Sequence, residues 1–222
     1  MIDADDTLWE NNIYFERVID LYTRLMEAAG HEARVARDTL YGIERVRTKL
    51  DGYGIQNFRT SLLEAVDRLL TADEVARAAA ALDEACMALA WEVPHVLEGV
   101  APTLRTLSSR HRLILFTKGD LDDQMGKLRR AGLRRYFHQV DVVREKDVAT
   151  YRETLERHGI RPSDAWMIGN SPRSDILPAL DCGLGAVFIP HVVTWALEQC
   201  EIPVGVDRFL RLESFDALTE YF

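Results

Sequence analysis

Two carboxylates and a hydroxyl stand at alternate positions near the start of the chain, in Asp3-Ala4-Asp5-Asp6-Thr7. In an extended segment alternate side chains share a face, so this spacing predicts Asp3, Asp5 and Thr7 pointing at one site. Like charges held that close repel, and a hard divalent cation, a shared proton or a charged reaction partner offsets the repulsion. The simpler alternatives for such a motif are a calcium-binding loop or chance spacing. Three later segments carry groups of matching kind: Thr117-Lys118-Gly119-Asp120, Arg144-Glu145-Lys146 and Gly169-Asn170-Ser171-Pro172-Arg173-Ser174-Asp175. A hydroxyl, cations and a second set of oxygen donors would complete one metal-assisted phosphoryl-transfer site, which needs charge neutralisation and in-line positioning above all.

Those groups need elements that bring them together. From about Asn12 to Trp91 apolar residues recur every three or four positions, as in Ile13, Phe15, Val18, Ile19, Tyr22, Leu25 and Met26, which predicts helices throughout. Gly30 supplies a stop, and further helices are expected at about 36–50 and 57–70. Thr71 with Glu74 is a capping box opening a fourth, alanine-rich helix. After Val93-Pro94 the rhythm changes to helix alternating with strand. Strands are expected at 113–116, 140–143, 166–168 and 186–189, with helices near 102–109, 121–131, 148–158 and 176–180. That alternation is the signature of a parallel sheet covered on both faces, where ligands bind beyond the C-terminal ends of the strands. Each chemical segment lies at such an end. Only Met1 and Ile2 precede Asp3, whereas a buried strand usually has four or more apolar residues, so either the first strand is short or the chain starts upstream.

In this order the motifs DADDT, LILFT, Lys146 and GNSPRSD resemble those of the haloacid dehalogenase superfamily of phosphohydrolases, and the resemblance spans the chain. It implies an α/β fold, a Rossmann-like parallel sheet in a three-layer α/β/α core, with an inserted four-helix cap domain. The core would comprise residues 1–13 and 94–222, and the cap 14–93. The activity implied is a Mg²⁺-dependent phosphatase acting on a small phosphorylated metabolite through an aspartyl-phosphate. Asp3 would be the nucleophile and Asp5 the acid and then base, with Thr117 and Lys146 stabilising the transferred group. Thr117, Lys118, Lys146 and Arg173 would bind substrate; Asp3, the Asp5 carbonyl, Asn170 and Asp175 would hold Mg²⁺. The family has Asp after the glycine of the last motif where this chain has Asn170, which favours Asp175 as the principal ligand. Phosphomutase and dehalogenase activities share the fold, although Asp5 speaks against the second, since halide displacement needs no proton donor there. A non-catalytic binding or regulatory protein is the alternative from another class.

Several residues have plainer expected roles. Asp6 reads as a turn or capping residue, Asp120 as a helix N-cap, Gly169 as a close backbone approach and Trp9 as core. Thr117 could be a strand-end hydroxyl, Lys146 part of a solvated loop, and Lys118 and Arg173 surface ion pairs. His191, Trp195 and Glu198 have the spacing of one helical face packed on the core. Tyr53 and Phe58, at the break between two helices, are candidate substrate contacts.

With 27 basic and 36 acidic residues the net charge of −9 argues against nucleic acid and anionic membranes as main partners. Cys86, Cys182 and Cys200 form no metal-binding or disulfide pattern and suit a reducing compartment. No apolar run reaches the length of a membrane span and the N-terminus lacks the pattern of a signal peptide, so a cytoplasmic monomer or homodimer is expected.

Overall fold

The computed structural model describes residues 1–198, 200–202 and 205–222. The chain forms two compact units, one of Met1–Asn12 with Val93–Phe222 and the other of Ile13–Glu92.

The helical unit is built from α1 (Asn12–Ala28), α2 (Ala33–Asp51), α3 (Ile55–Leu69) and α4 (Ala72–Trp91). Each helix buries one stripe at three- and four-residue spacing: Val18, Ile19, Tyr22 and Met26; Ala36, Leu40 and Ile43; Phe58, Leu62 and Ala65; Ala78, Leu82 and Cys86. Thr71 and Glu74 form the expected capping box. Arg59 of α3 forks onto Asp83 of α4 at 2.7 and 2.9 Å. Phe58, expected at the break between two helices, is buried on the apolar stripe of α3 and meets Phe15 edge to face at 5.0 Å. Glu44 of α2 is buried, and its Oε2 has no hydrogen-bond partner. Burial, with Glu16 nearby, raises its carboxyl to about 7.

In the other unit α5 (Val100–Ser108) leads into β1 (Ile114–Lys118), followed by α6 (Leu121–Arg130), β2 (Gln139–Val143), α7 (Val148–His158), β3 (Trp166–Gly169), α8 (Leu177–Asp181), β4 (Gly185–Phe188) and β5 (Phe209–Arg211). β1 pairs with β2, and β3 with β4 and β4 with β5, all in parallel. Ile2 joins the two groups, bridging in parallel to Leu115 and to Ile168. Its N–H donates to Ile114 O at 2.8 Å and its carbonyl accepts from Phe116 at 2.8 Å. The order across the sheet is therefore β2, β1, the Ile2 segment, β3, β4, β5. Lying between two neighbours, the Ile2 segment has ladder bonds on both edges.

Alternate residues leave the sheet on opposite faces. Ile2, Leu115 and Ile168 pack with Leu104 and Leu107 of α5 and Leu128 of α6, whereas Met1, Ile114, Phe116 and Met167 pack with Tyr151 and Leu155 of α7 and Ala179 of α8. Helices thus cover both faces, giving the three layers that the alternation implies. β5 and the last helical turn, Asp216–Glu220, are not apparent in the sequence. A three-residue strand has too little pattern to register, and it forms because β4 offers it a paired edge. The three cysteines are free, and no helix among the described residues is long and apolar enough to cross a membrane.

Candidate active site

Because the strands are parallel, the residues following Ile2, β1, β2 and β3 emerge at the same edge of the sheet. Asp3 comes directly after Ile2, and its N–H donates to Ile168 O at 2.9 Å. Its carboxylate accepts from the Lys146 ammonium on one oxygen, and Thr7 Oγ1 lies 3.1 Å from the other. The same hydroxyl is 3.1 Å from Asn170 Oδ1, so an amide oxygen from the end of β3 faces the Asp3 carboxylate. Lys146 is only 3% exposed and is not part of a solvated loop. Besides Asp3 it donates to Asp175 Oδ1 at 2.7 Å and sits 5.5 Å from the centre of the Phe116 ring. Thr117, at the end of β1, is buried as well.

Electrostatics follow from this enclosure. Burial raises the Asp3 carboxyl to about 7, opposed by the Lys146 ammonium and reinforced by Asp175 and Asp5. Burial would lower the Lys146 pKa, but Asp175 and Asp3 outweigh it and hold the ammonium above the usual lysine value.

Asp175 is favoured by the sequence as the main metal ligand, yet the structure engages both of its oxygens within the protein. One accepts from Lys146, and the other accepts the Ser171 N–H at 2.9 Å. This grip depends on Gly169: a Cβ there would lie 2.2 Å from Asp175 Oδ2.

Asp5 departs from the expected common face. The chain leaves the extended conformation after Asp3, and Leu8 N–H returns to Ala4 O at 2.8 Å, so Thr7 reaches Asp3 through a turn rather than by strand alternation. Asp6 occupies the left-handed position of that turn at φ 59° and caps the start of α1, accepting from Asn11 at 2.8 Å and Asn12 at 3.0 Å. The Asp5 carboxylate accepts from Lys127 Nζ at 2.9 and 3.1 Å, from Gln124 Nε2 at 2.8 Å and from Trp9 Nε1 at 2.8 Å. These three partners escaped sequence reasoning. Gln124 and Lys127 do carry a signal, an i, i+3 polar pair on one face of α6, whose start Asp120 caps by accepting from Asp122 and Asp123. Trp9 is fully buried, as a core residue should be, and also donates its one polar hydrogen to the site.

Lys118 and Arg173 are drawn toward the segment after β4. Lys118 Nζ lies 2.5 Å from Glu198 Oε1, 2.8 Å from Ser174 Oγ and 3.3 Å from Glu145 Oε1. Arg173 is exposed and donates to Leu197 O at 3.3 Å. Residues 191–198 do not form the single helical face that the spacing suggests. Only Ala196–Glu198 make a helical turn, of the tighter 3₁₀ type. His191 lies 3.0 Å from Glu10 Oε2 and 3.8 Å from Asp6 Oδ1 instead, and Glu198 turns inward to the end of β1 and the loop after β3.

Comparison with known proteins places the chain in a family. A profile described as haloacid dehalogenase-like hydrolase matches residues 1–183. The chain belongs to that family of hydrolases. Among solved structures, a haloacid dehalogenase-like hydrolase of Xanthomonas campestris aligns over 99% of this chain and 92% of its own, with a TM-score of 0.82 at 23% identity. A 2-haloacid dehalogenase of Pseudomonas syringae aligns over 99% and 95% respectively, with a TM-score of 0.60 at 21% identity. Such identities show the fold, the α/β core with its helical cap. A glyceraldehyde 3-phosphate phosphatase of Methanothermobacter thermautotrophicus is 33% identical over 100 residues, 42% of this chain. The match spans 44% of that protein's length.

The donor set suits a hard divalent cation. Asp3 and Asn170 present a carboxylate and an amide oxygen on either side of Thr7, and all are oxygen ligands of the kind Mg²⁺ takes. Burial raises the Asp3 pKa, and a cation beside it would favour the ionised form, as the Lys146 ammonium does.

Proposed function

We propose that this hydrolase is a Mg²⁺-dependent phosphatase of a small phosphorylated metabolite, working through an aspartyl-phosphate on Asp3. The observation that carries the reading is the buried array Asp3, Lys146 and Asp175 at the strand ends, with Thr7 and Asn170 beside Asp3. A carboxylate held by an ammonium is oriented for attack while its charge is partly offset against an approaching phosphate. Asp3, the Asp5 backbone carbonyl and Asn170 would hold the metal, and Asp175 serves chiefly to hold Lys146. When bound, the cation shields the nucleophile's charge from the phosphoryl oxygens.

The residues then divide the work. An Asp3 oxygen attacks phosphorus as the bond to the leaving oxygen breaks, and Asp5 gives that oxygen a proton. Asp5 next takes a proton from the water that attacks the aspartyl-phosphate, releasing phosphate and regenerating Asp3. Thr117 and Lys146 hydrogen-bond the transferring oxygens at the strand ends. Arg173 and Lys118, already committed to the 197–198 segment and the loops below it, contribute to the site's shape more than to phosphate binding. Asp5 also favours phosphoryl transfer over halide displacement, which has no leaving oxygen to protonate.

Turnover of a generic aryl phosphate tests the proposal. Activity is expected with Mg²⁺ and not with excess chelator, and Asp3→Asn should lower kcat by roughly three orders of magnitude or more. Release of inorganic phosphate, rather than return of the group to a sugar, separates a phosphatase from a mutase. Turnover that survives both chelation and Asp3→Asn sinks the mechanism.

A further inference from the structure

Glu198 has no counterpart among the roles assigned above, yet it is one of the most enclosed carboxylates of the chain, at 9% exposure. Three donors converge on it: Lys118 Nζ at 2.5 Å, Ser174 Oγ at 2.5 Å and the Ser171 hydroxyl. Lys118 directly follows Thr117, and Ser171 directly follows Asn170. One side chain therefore ties the end of β1, which carries the Thr117 hydroxyl, to the loop after β3 that carries the Asn170 amide. Ser171 also accepts the Ser174 N–H at 3.0 Å, so its hydroxyl links Glu198 to the turn that presents Asp175 to Lys146. Burial alone would raise the Glu198 pKa, but Lys118 and the two hydroxyls outweigh it and hold the carboxyl below its usual value.

The segment bearing Glu198 is itself held at two points. Asn12 Nδ2 donates to Val193 O at 3.3 Å and Arg173 donates to Leu197 O at 3.3 Å. These contacts anchor the carboxylate against the end of β1 and the loop after β3.

We propose that Glu198 is a positioning residue for the reaction: from outside the four strand-end motifs, it ties the last residue of β1 to the loop after β3 and places a second carboxylate, beside Glu145, against Lys118. The inference rests on the phosphatase reading given above. Its physical basis is the usual dependence of a metal or oxyanion site on the hydrogen bonds behind its ligands. Without the carboxylate, Lys118 keeps Glu145 at 3.3 Å but loses the contact at 2.5 Å, and two buried hydroxyls lose a charged acceptor.

Steady-state kinetics on aryl phosphate and calorimetric titration of Mg²⁺ into the full chain test this together. Glu198→Gln should lower kcat about tenfold and weaken Mg²⁺ binding about tenfold, with KM for the aryl phosphate changed by less than about threefold. Because Glu198 acts through Lys118 and through the two serine hydroxyls, combining Glu198→Gln with Lys118→Met should cost more than Lys118→Met alone but less than the two single losses multiplied together, and fully multiplicative losses overturn the link to Lys118. A folded Glu198→Gln protein with wild-type kcat and Mg²⁺ affinity overturns the proposal. Should that variant fail to fold, Ser174→Ala, which removes one donor, should weaken Mg²⁺ binding by about threefold, and an unchanged affinity overturns the proposal equally. Wild-type protein that binds Mg²⁺ but lacks turnover defeats the phosphatase reading, and the titrations then decide the role of Glu198. Wild-type protein that neither binds Mg²⁺ nor turns over defeats both.

Discussion

Asp3 and Asp5 stand two residues apart and live in different surroundings. Asp3 is enclosed with Lys146 and Thr7, while Asp5 is gathered by Lys127, Gln124 and Trp9. Two carboxylates can do different jobs only if their environments differ, and the proposed division between a nucleophile and an acid–base group relies on that difference. Lys127 is the partner most open to test, since it grips both Asp5 oxygens and also donates to Asn11 Oδ1 at 2.7 Å. Lys127→Met leaves Asp5 less firmly aimed, and kcat should fall roughly tenfold with KM little altered. Steady-state kinetics at saturating Mg²⁺ would show this, and an unchanged kcat would remove Lys127 from the machinery.

At the scale of elements, what matters is where each strand stops. β1, β2 and β3 are four or five residues long, and each hands over at the sheet edge to a loop carrying one part of the site. Helices are more forgiving, because a stripe of apolar residues buries itself whatever the exposed face carries. α2 is an exception, since Glu44 lies in its buried stripe with one oxygen unpartnered. Its carboxyl titrates near 7 in the folded chain against an ordinary value near 4.5, so the folded state binds the extra proton between those pH values. Stability should therefore fall as pH rises from about 4.5 through about 7, and level off above. Glu44→Gln removes that dependence and should stabilise the protein at pH 8 by about 1–3 kcal/mol, with little gain at pH 4.5. Denaturant melts at the two pH values measure the difference; an equal effect at both would show that Glu44 is not buried as a carboxylate.

For the whole molecule, the net charge of −9 and a buried acidic site act in the same direction: both are relieved by a bound cation. If Asp3 and Asn170 hold Mg²⁺ in the folded state only, the ion at about one hundred times its Kd stabilises by about 2.7 kcal/mol. For a chain of this size that is a rise in Tm of about 5–10 °C. Thermal melts with Mg²⁺ and with chelator should differ by that much, and Asp3→Asn should abolish most of the difference. A melt indifferent to Mg²⁺ in the wild type would argue against a resident cation at this site.

How much of this was legible in the sequence depends on the range over which each feature is decided. The periodicities of three to four and of two are local, because they reflect how neighbouring side chains leave a helix or a strand, and they announced the helical insertion and the parallel sheet. The meeting of Asp3, Lys146, Thr7 and Asn170 was legible for a related reason: in a parallel sheet each strand end faces the same edge, so the order of motifs implies their convergence. Capping was local too, at Thr71, Asp120 and Asp6. The partners of Asp5, the commitment of Asp175 to Lys146 and Ser171, the burial of Phe58 and the inward turn of Glu198 were decided only in three dimensions. Lys127 lies 122 residues from Asp5, and Glu198 lies 80 from Lys118. Which carboxylate meets which ammonium across such distances depends on packing, turn geometry and the balance between desolvation and pairing. The sequence thus determined which groups stand at the ends of the strands. Only the tertiary structure decided which of them face one another, because pairing energies depend on separations of a few ångströms that no spacing along the chain specifies.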